Sequence, residues 1–431
     1  MMQTGTDLSL ATFDRLESSV RSYVRSFPTV FAEAQGSWLT DEEGRRYLDF
    51  FAGAGSLNYG HNPEPLKEAL LAYIGTNGIV HGLDMATEAK RQFIETFEAV
   101  ILQPRQLEYK MQFTGPTGTN AVEAALKIAR QKTGRTNVIC FTNAFHGVTA
   151  GAVAATGNSK FRQATGMPLG NTTFMPYCGY FGKDVDTLAQ LEQMLDDRSS
   201  GIDKPAAVLL ETVQGEGGVN AATVRWLRRL REICRERDIL MIVDDIQVGC
   251  GRTGQFFSFE LACIEPDIVT LSKSLSGYGL PMSLVLLKPD VDIWEPAAHN
   301  GTFRGNNLAF VTATQALLSY WQDPDFSRSV FSRGTEIHDR LQGWNEKYPQ
   351  VKAVRSRGMI AGLVTAGAAS ANAISEACFR AGLIIETCGP AGEVIKLLPP
   401  LTITSEELDE GLSIIEQALV NTAGRARKAS H

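Results

Sequence analysis

Short apolar runs alternate with amphipathic stretches through the middle of the chain. Asn137-Val138-Ile139-Cys140-Phe141, Ala206 to Leu210, Ile239 to Val243 and Ile268 to Leu271 are apolar and rich in branched side chains. Strands buried on both faces of a parallel sheet have this character. Between them, Ala121 to Gln131 and Thr223 to Arg237 carry helical periodicity. The rhythm predicts an α/β domain with a mostly parallel sheet flanked by helices. Beyond about Asp323 the pattern changes. Helices are predicted at Asp325 to Trp344, Ala371 to Ala381 and Ser405 to Leu419, and strands at Gly358 to Val364 and Val394 to Leu398. The expected division is a large domain over residues 75–322 and a smaller α+β domain over 323–431. Residues 1–74 form an N-terminal segment that packs with the small domain.

Composition narrows the function classes. The 431 residues are 44% hydrophobic and 21% charged, with a net charge of −7. That suits a globular chain and excludes disorder. The only basic tract is the short tail Arg425-Ala426-Arg427-Lys428, so neither nucleic acid nor an anionic membrane is the expected partner. No stretch reaches the length of a membrane span, and Met1 to Leu10 lacks a signal layout. Seven cysteines without a C-x-x-C pair argue against disulfides or zinc and for a reducing cytoplasm.

An open α/β sheet binds ligands at the carboxyl ends of its strands, and candidate chemistry collects there. Lys273 follows the run Ile268 to Leu271 directly. A lysine at such a place is costly to desolvate unless used, and one use is Schiff-base chemistry by an amine of depressed pKa. Asp244-Asp245-Ile246-Gln247 ends another run, and an acid held there can pair with a pyridinium nitrogen. A metal is less attractive because no histidine lies nearby in the sequence to complete a site. Gly115-Pro116-Thr117-Gly118-Thr119-Asn120 opens the helix at Ala121, where backbone N–H groups and hydroxyls suit a phosphate. It is neither a P-loop nor a G-x-G-x-x-G turn. Phe145-His146-Gly147 offers an aromatic face, and Glu211 and Glu216 lie in a glycine-rich loop as substrate contacts or as solvated charges.

Taken in this order, the four strand ends resemble the class III (omega-amino) aminotransferases of pyridoxal-phosphate (PLP) fold type I. The most specific stretch is Asp244 to Gln247, then Gly251-Arg252-Thr253-Gly254, then Ser272-Lys273-Ser274. The resemblance implies PLP as cofactor, bonded by Lys273, which also carries the proton during turnover. It implies Asp244 on the pyridine nitrogen, Gln247 on the ring hydroxyl and Phe145 on the ring face. Gly118 and Thr119, with Thr117 beside them, would take the phosphate. Thr302 would reach the phosphate of a second subunit, making the active unit a homodimer, with pairing of dimers into a tetramer left open. Tyr23 to Pro28, Asn58-Tyr59-Gly60-His61, His81 to Met85 and Lys396 to Leu401 are similar to the diaminobutyrate–2-oxoglutarate transaminase group that serves ectoine synthesis. That likeness implies amino transfer between L-glutamate and L-aspartate 4-semialdehyde. The alternatives are an ornithine, acetylornithine or 4-aminobutyrate enzyme, or the same reaction serving siderophore or peptide synthesis.

Two positions depart from the wider class. Lys396 stands where many relatives place an arginine that grips the substrate carboxylate and is masked by a glutamate, here Glu216. Lysine is a point charge without the bidentate fork. Glu216, Lys396 and Arg25 are therefore the expected substrate contacts, with Arg304 as a further candidate. Asp245 replaces a commoner glutamate, with little expected consequence. His61, His81 and His146 are read as loop or supporting polar groups, and Cys250 as a buried free thiol.

Overall fold

The computed structural model describes residues 10–428, with side chains through Thr422. The segment before Leu10, read above for a signal layout, and the side chains of the basic tail lie outside the described residues. The central sheet has seven strands in the order Lys110–Phe113, Leu284–Leu287, Ile268–Leu271, Leu240–Asp244, Ala207–Leu210, Val138–Phe141, Thr172–Met175. Leu284–Leu287 runs antiparallel to both neighbours, and the five strands from Ile268–Leu271 onward pair in parallel. Every residue of Ile268–Leu271, Ala207–Leu210 and Val138–Phe141 is buried, as strands covered on both faces require. The long helix Gly118–Thr133 buries an alanine-rich side, with Val122, Leu126 and Ile128, against Val138, Leu209, Ile242, Ile268 and Val285. Val224–Glu236 does the same on the other core with Trp226, Leu227, Leu230 and Ile233.

A second, antiparallel sheet orders Val351–Arg357, Ile360–Thr365, Val394–Leu397 and Glu386–Cys388. Helices Asp325–Lys347, Ala368–Arg380 and Ser405–Lys428 accompany it. The N-terminal hairpin strands Phe31–Gln35, Trp38–Asp41 and Arg46–Asp49 are completed by Leu383–Ile384 from the C-terminal part. Leu48 and Phe50 lie in the same apolar cluster as Leu341, Leu363, Ile395 and Leu412.

The predicted strands and helices are present to within a few residues, except that the last helix continues from Leu419 to Lys428. The sheet also contains strands that the apolar pattern did not mark. Thr172–Met175 is only half-buried at three of its four positions, and Lys110–Phe113 is exposed or half-buried throughout. Both are edge strands, where the hydrophobic signal weakens. No helix among the described residues is long and apolar enough to cross a membrane.

Candidate active site

Four strand ends and one helix N-terminus meet in a cavity of about 180 Å³ lined by Gly118, Thr119, Phe145, His146, Glu216, Asp244, Gln247 and Lys273, among others. Lys273 follows Leu271 by two residues and holds a left-handed backbone (φ 44°), uncommon for a residue with a side chain. Its neighbours hold the turn: Ser272 donates to Met282 O at 2.8 Å and Ser274 to Gly55 O at 2.7 Å. Burial lowers the Lys273 pKa, with the Lys396 charge adding to it and Glu216 opposing.

Asp244 ends its strand with its carboxylate buried. Its Oδ2 lies 2.7 Å from His146 Nδ1, and its Oδ1 accepts from Ile246 N at 3.2 Å and Thr270 Oγ1 at 3.3 Å. Burial disfavours a charged His146, yet the hydrogen bond and charge of Asp244 raise its pKa above the ordinary value. His146 is thus the direct brace of Asp244, a closer role than its sequence neighbourhood suggested. Glu211, left open between substrate contact and solvated charge, is buried and accepts from Phe145 N at 3.1 Å. Burial pushes its carboxyl up to about 7.

Thr117 caps the helix with an extended backbone, and its hydroxyl donates to Asn120 Oδ1 at 2.8 Å. Gly118 and Thr119 form the first turn, with Thr119 Oγ1 2.6 Å from Thr149 Oγ1. The free N–H groups of this turn face an anion favourably. Gln247 donates to Ala54 O at 3.1 Å and to Glu216 Oε1 at 3.0 Å. Gly215 packs so closely there that a Cβ would come within 1.7 Å of Gln247 Oε1.

Lys396 is wholly buried, with Nζ 2.6 Å from Glu216 Oε1 and 2.9 Å from Glu386 Oε1. Burial raises the Glu216 pKa, but the Lys396 and Lys273 ammonium groups prevail and hold it at about 2. Glu386 escaped the sequence reading. Its cue was a lone acid after the apolar run Leu383-Ile384-Ile385. Arg25 is exposed and donates to Ser19 O at 3.0 Å, and Arg304 pairs with Asp84. Neither lines the cavity, and neither does Thr302, which is exposed. Cys250 is a buried free thiol, and Asp245 is buried with Oδ2 accepting from Ser258 N at 2.9 Å.

A flat, phosphorylated pyridine fits this donor set. The cavity offers an amine, a buried carboxylate braced by histidine, an aromatic face and an anion-binding helix end. Two buried polar atoms on its wall, His146 Nε2 and Gln247 Oε1, have no partner in the protein. Such atoms are costly unless a ligand or water meets them.

The family model described as Aminotransferase class-III matches residues 20–419. A protein of Bordetella parapertussis named diaminobutyrate--2-oxoglutarate transaminase is 61% identical over 98% of both chains. One of the same name from Streptomyces anulatus is 56% identical over 97% of this chain and 100% of its own. Among solved structures, the ornithine aminotransferase of Toxoplasma gondii, with PLP partially occupying its active site, superposes with a TM-score of 0.84. It is 26% identical, over 98% of this chain and 97% of its own.

Proposed function

The chain belongs to the class-III aminotransferases, and we propose that it transfers an amino group between L-glutamate and L-aspartate 4-semialdehyde, giving L-2,4-diaminobutyrate and 2-oxoglutarate. The cofactor is pyridoxal 5′-phosphate. The observation that carries the reading is that the Lys273 amine and the Asp244 carboxylate line one cavity with the N-terminus of Gly118–Thr133. The substrate rests on the near full-length likeness to relatives named for that reaction.

When bound, PLP supplies an electron sink that weakens a C–H bond beside the amine. The chain's own residues do the rest. The Lys273 amine, lowered in pKa by burial, accepts that proton on Nζ and returns it at the neighbouring carbon. Asp244 keeps a proton on the ring nitrogen, and His146 holds the carboxylate in place. The N–H groups of Gly118 and Thr119, with Thr117 at the cap, hold the phosphate. With PLP bound, Phe145 would cover the ring face and Gln247 would orient the ring hydroxyl. Glu216 masks Lys396 and turns aside for a substrate carboxylate.

The finer assignments belong to the same reading. The chain works as a homodimer in the cytoplasm, with Thr302 reaching the phosphate bound to the partner. Exposed Ile79, Val80, Met85 and Phe303 support such a contact, since large apolar groups seldom gather on a free surface. A division near residue 322 is supported by the separate apolar clusters of the two sheets. Leu48 and Phe50 of the N-terminal segment lie in the small-domain cluster, whereas Tyr59 and Leu66 of that segment pack with Ala316 of the large domain.

The test is to add L-2,4-diaminobutyrate to the PLP-loaded protein and follow its yellow absorbance, then add 2-oxoglutarate. Loss and return of the colour is the expected result. A yellow protein that ignores diaminobutyrate but answers another ω-amine would overturn the substrate. A protein that cannot be loaded with PLP would overturn the cofactor site.

A further inference from the structure

Gln247 lines the cavity, and its amide can face only one way. Nε2 meets two groups that only accept, Ala54 O at 3.1 Å and Glu216 Oε1 at 3.0 Å. Both of its hydrogens are thereby spent inside the protein. Oε1 lies over the missing side chain of Gly215, buried and without a partner among the described residues. The Ala54 carbonyl is a fixed anchor. It belongs to a left-handed turn, Ala52-Gly53-Ala54 (φ 45°, 57° and 57°). Asp49 Oδ1 holds that turn by accepting from Phe51 N and Ala52 N at 2.8 Å each.

Glu216 Oε1 takes the Gln247 bond and the Lys396 ion pair on one atom, the latter at 2.6 Å. The backbone around Glu216 is pinned. Its carbonyl accepts from Gly389 N at 2.9 Å, and a Cβ on Gly217 would come within 2.3 Å of Asn143 O. The Glu216 side chain is 29% exposed, whereas that of Lys396 is wholly buried. Unmasking Lys396 is therefore a rotation of the Glu216 side chain, which must break the Gln247 bond as well as the ion pair. We propose that Gln247 is a specificity-determining positioning residue. Its N–H latches Glu216 over Lys396 and so weighs against dicarboxylate substrates, without opposing a donor that binds with the mask in place. The inference rests on the reading that Glu216 turns aside for a substrate carboxylate, and deepens it.

The test is equilibrium binding of glutarate, which has both carboxylates of glutamate and no amine to react, to the PLP-loaded protein. Gln247→Met should tighten glutarate by roughly tenfold, the weight of one hydrogen bond to a charged group. Gln247→Asn, too short to reach Glu216, should do the same and serves if the Met variant does not fold. A contact of Gln247 with bound cofactor would act whether or not Glu216 is present, so a double-mutant cycle separates the two. In a Glu216→Ala background the same substitution should leave glutarate affinity unchanged. Glu386 faces Lys396 at 2.9 Å throughout, so its pull cancels from the comparison. In turnover, Gln247→Met should lower KM for glutamate and not for diaminobutyrate. If Glu216→Ala tightens glutarate but Gln247→Met does not, or acts equally with and without Glu216, the latch is overturned and the mask stands. If Glu216→Ala fails to tighten glutarate, the mask is overturned and the latch with it.

Discussion

His146 Nδ1 lies 2.7 Å from Asp244 Oδ2, joining two strand ends that are 98 residues apart in the chain. Both side chains are buried, so each depends on the other for its main polar contact. Asp244→Asn should lower kcat roughly 10²-fold or more, because an amide cannot hold the ring nitrogen protonated. His146→Leu keeps the carboxylate but removes its brace, and should cost roughly tenfold, the kinetic equivalent of about 1.4 kcal/mol. Steady-state kinetics on both variants decide it. Equal damage in the two would mean that His146 does more than position Asp244.

Lys273→Ala removes the proton carrier while leaving the phosphate end of the site intact. Turnover should fall by roughly 10²- to 10⁴-fold, the usual worth of a placed general base. PLP should still bind, though more weakly, and equilibrium dialysis followed by single-turnover assays separates the two effects. Transamination at the wild-type rate would remove Lys273 from the chemistry.

Lys396→Met leaves Glu216 and Glu386 facing each other without their cation. Breaking a buried pair in this way costs about 3–5 kcal/mol. The thermal midpoint at pH 8 should fall clearly, and adding Glu386→Gln to the same chain should recover much of the loss. A single variant as stable as wild type would show that the carboxylates are relieved by solvent.

Asp245 has a pH signature of its own. Burial pushes its carboxyl up to about 7, and Oδ1 has no hydrogen-bond partner. A carboxyl whose folded pKa lies above its unfolded value contributes stability that is fully present below the unfolded pKa. That stability is lost as pH rises through the folded value, here between about pH 4 and 7. Asp245→Asn should therefore raise the thermal midpoint of cofactor-stripped protein at pH 8 and change it little at pH 4. A lower midpoint at pH 8 would mean that the hydrogen bond from Ser258 N outweighs the cost of burying the charge.

Thr302 is exposed and outside its own chain's cavity, as a residue serving a partner's phosphate should be. Thr302→Ala should weaken PLP binding severalfold, the loss of one hydrogen bond worth about 1 kcal/mol. Sedimentation should still find a dimer. Unaltered PLP affinity in a dimeric variant would rule out the shared contact.

Most covered strands were legible because burial on both faces writes itself as an unbroken apolar run, as in Ile268–Leu271 and Ala207–Leu210, although the wholly buried Leu284–Leu287 went unmarked. Lys273 and Asp244 were legible for the same reason, since each is a polar residue placed just where such a run ends. The helix start at Thr117-Gly118-Thr119, where the phosphate is proposed to bind, announced itself by residues that leave backbone N–H groups free. Sequence determined these features because they depend on neighbours within a few positions.

Tertiary structure alone decided which charges face one another. The Lys396–Glu216 pair, 180 residues apart, was expected only through the family resemblance, but the Glu386 contact with Lys396 and the Asp244–His146 brace, 98 residues apart, were not. Glu386 meets Lys396 only because their strands pair in register. Coulombic and hydrogen-bond energies depend on distances of a few ångströms, and chain separation carries no information about those. The contacts of Glu386, Glu211 and His146 therefore emerged only from the folded chain.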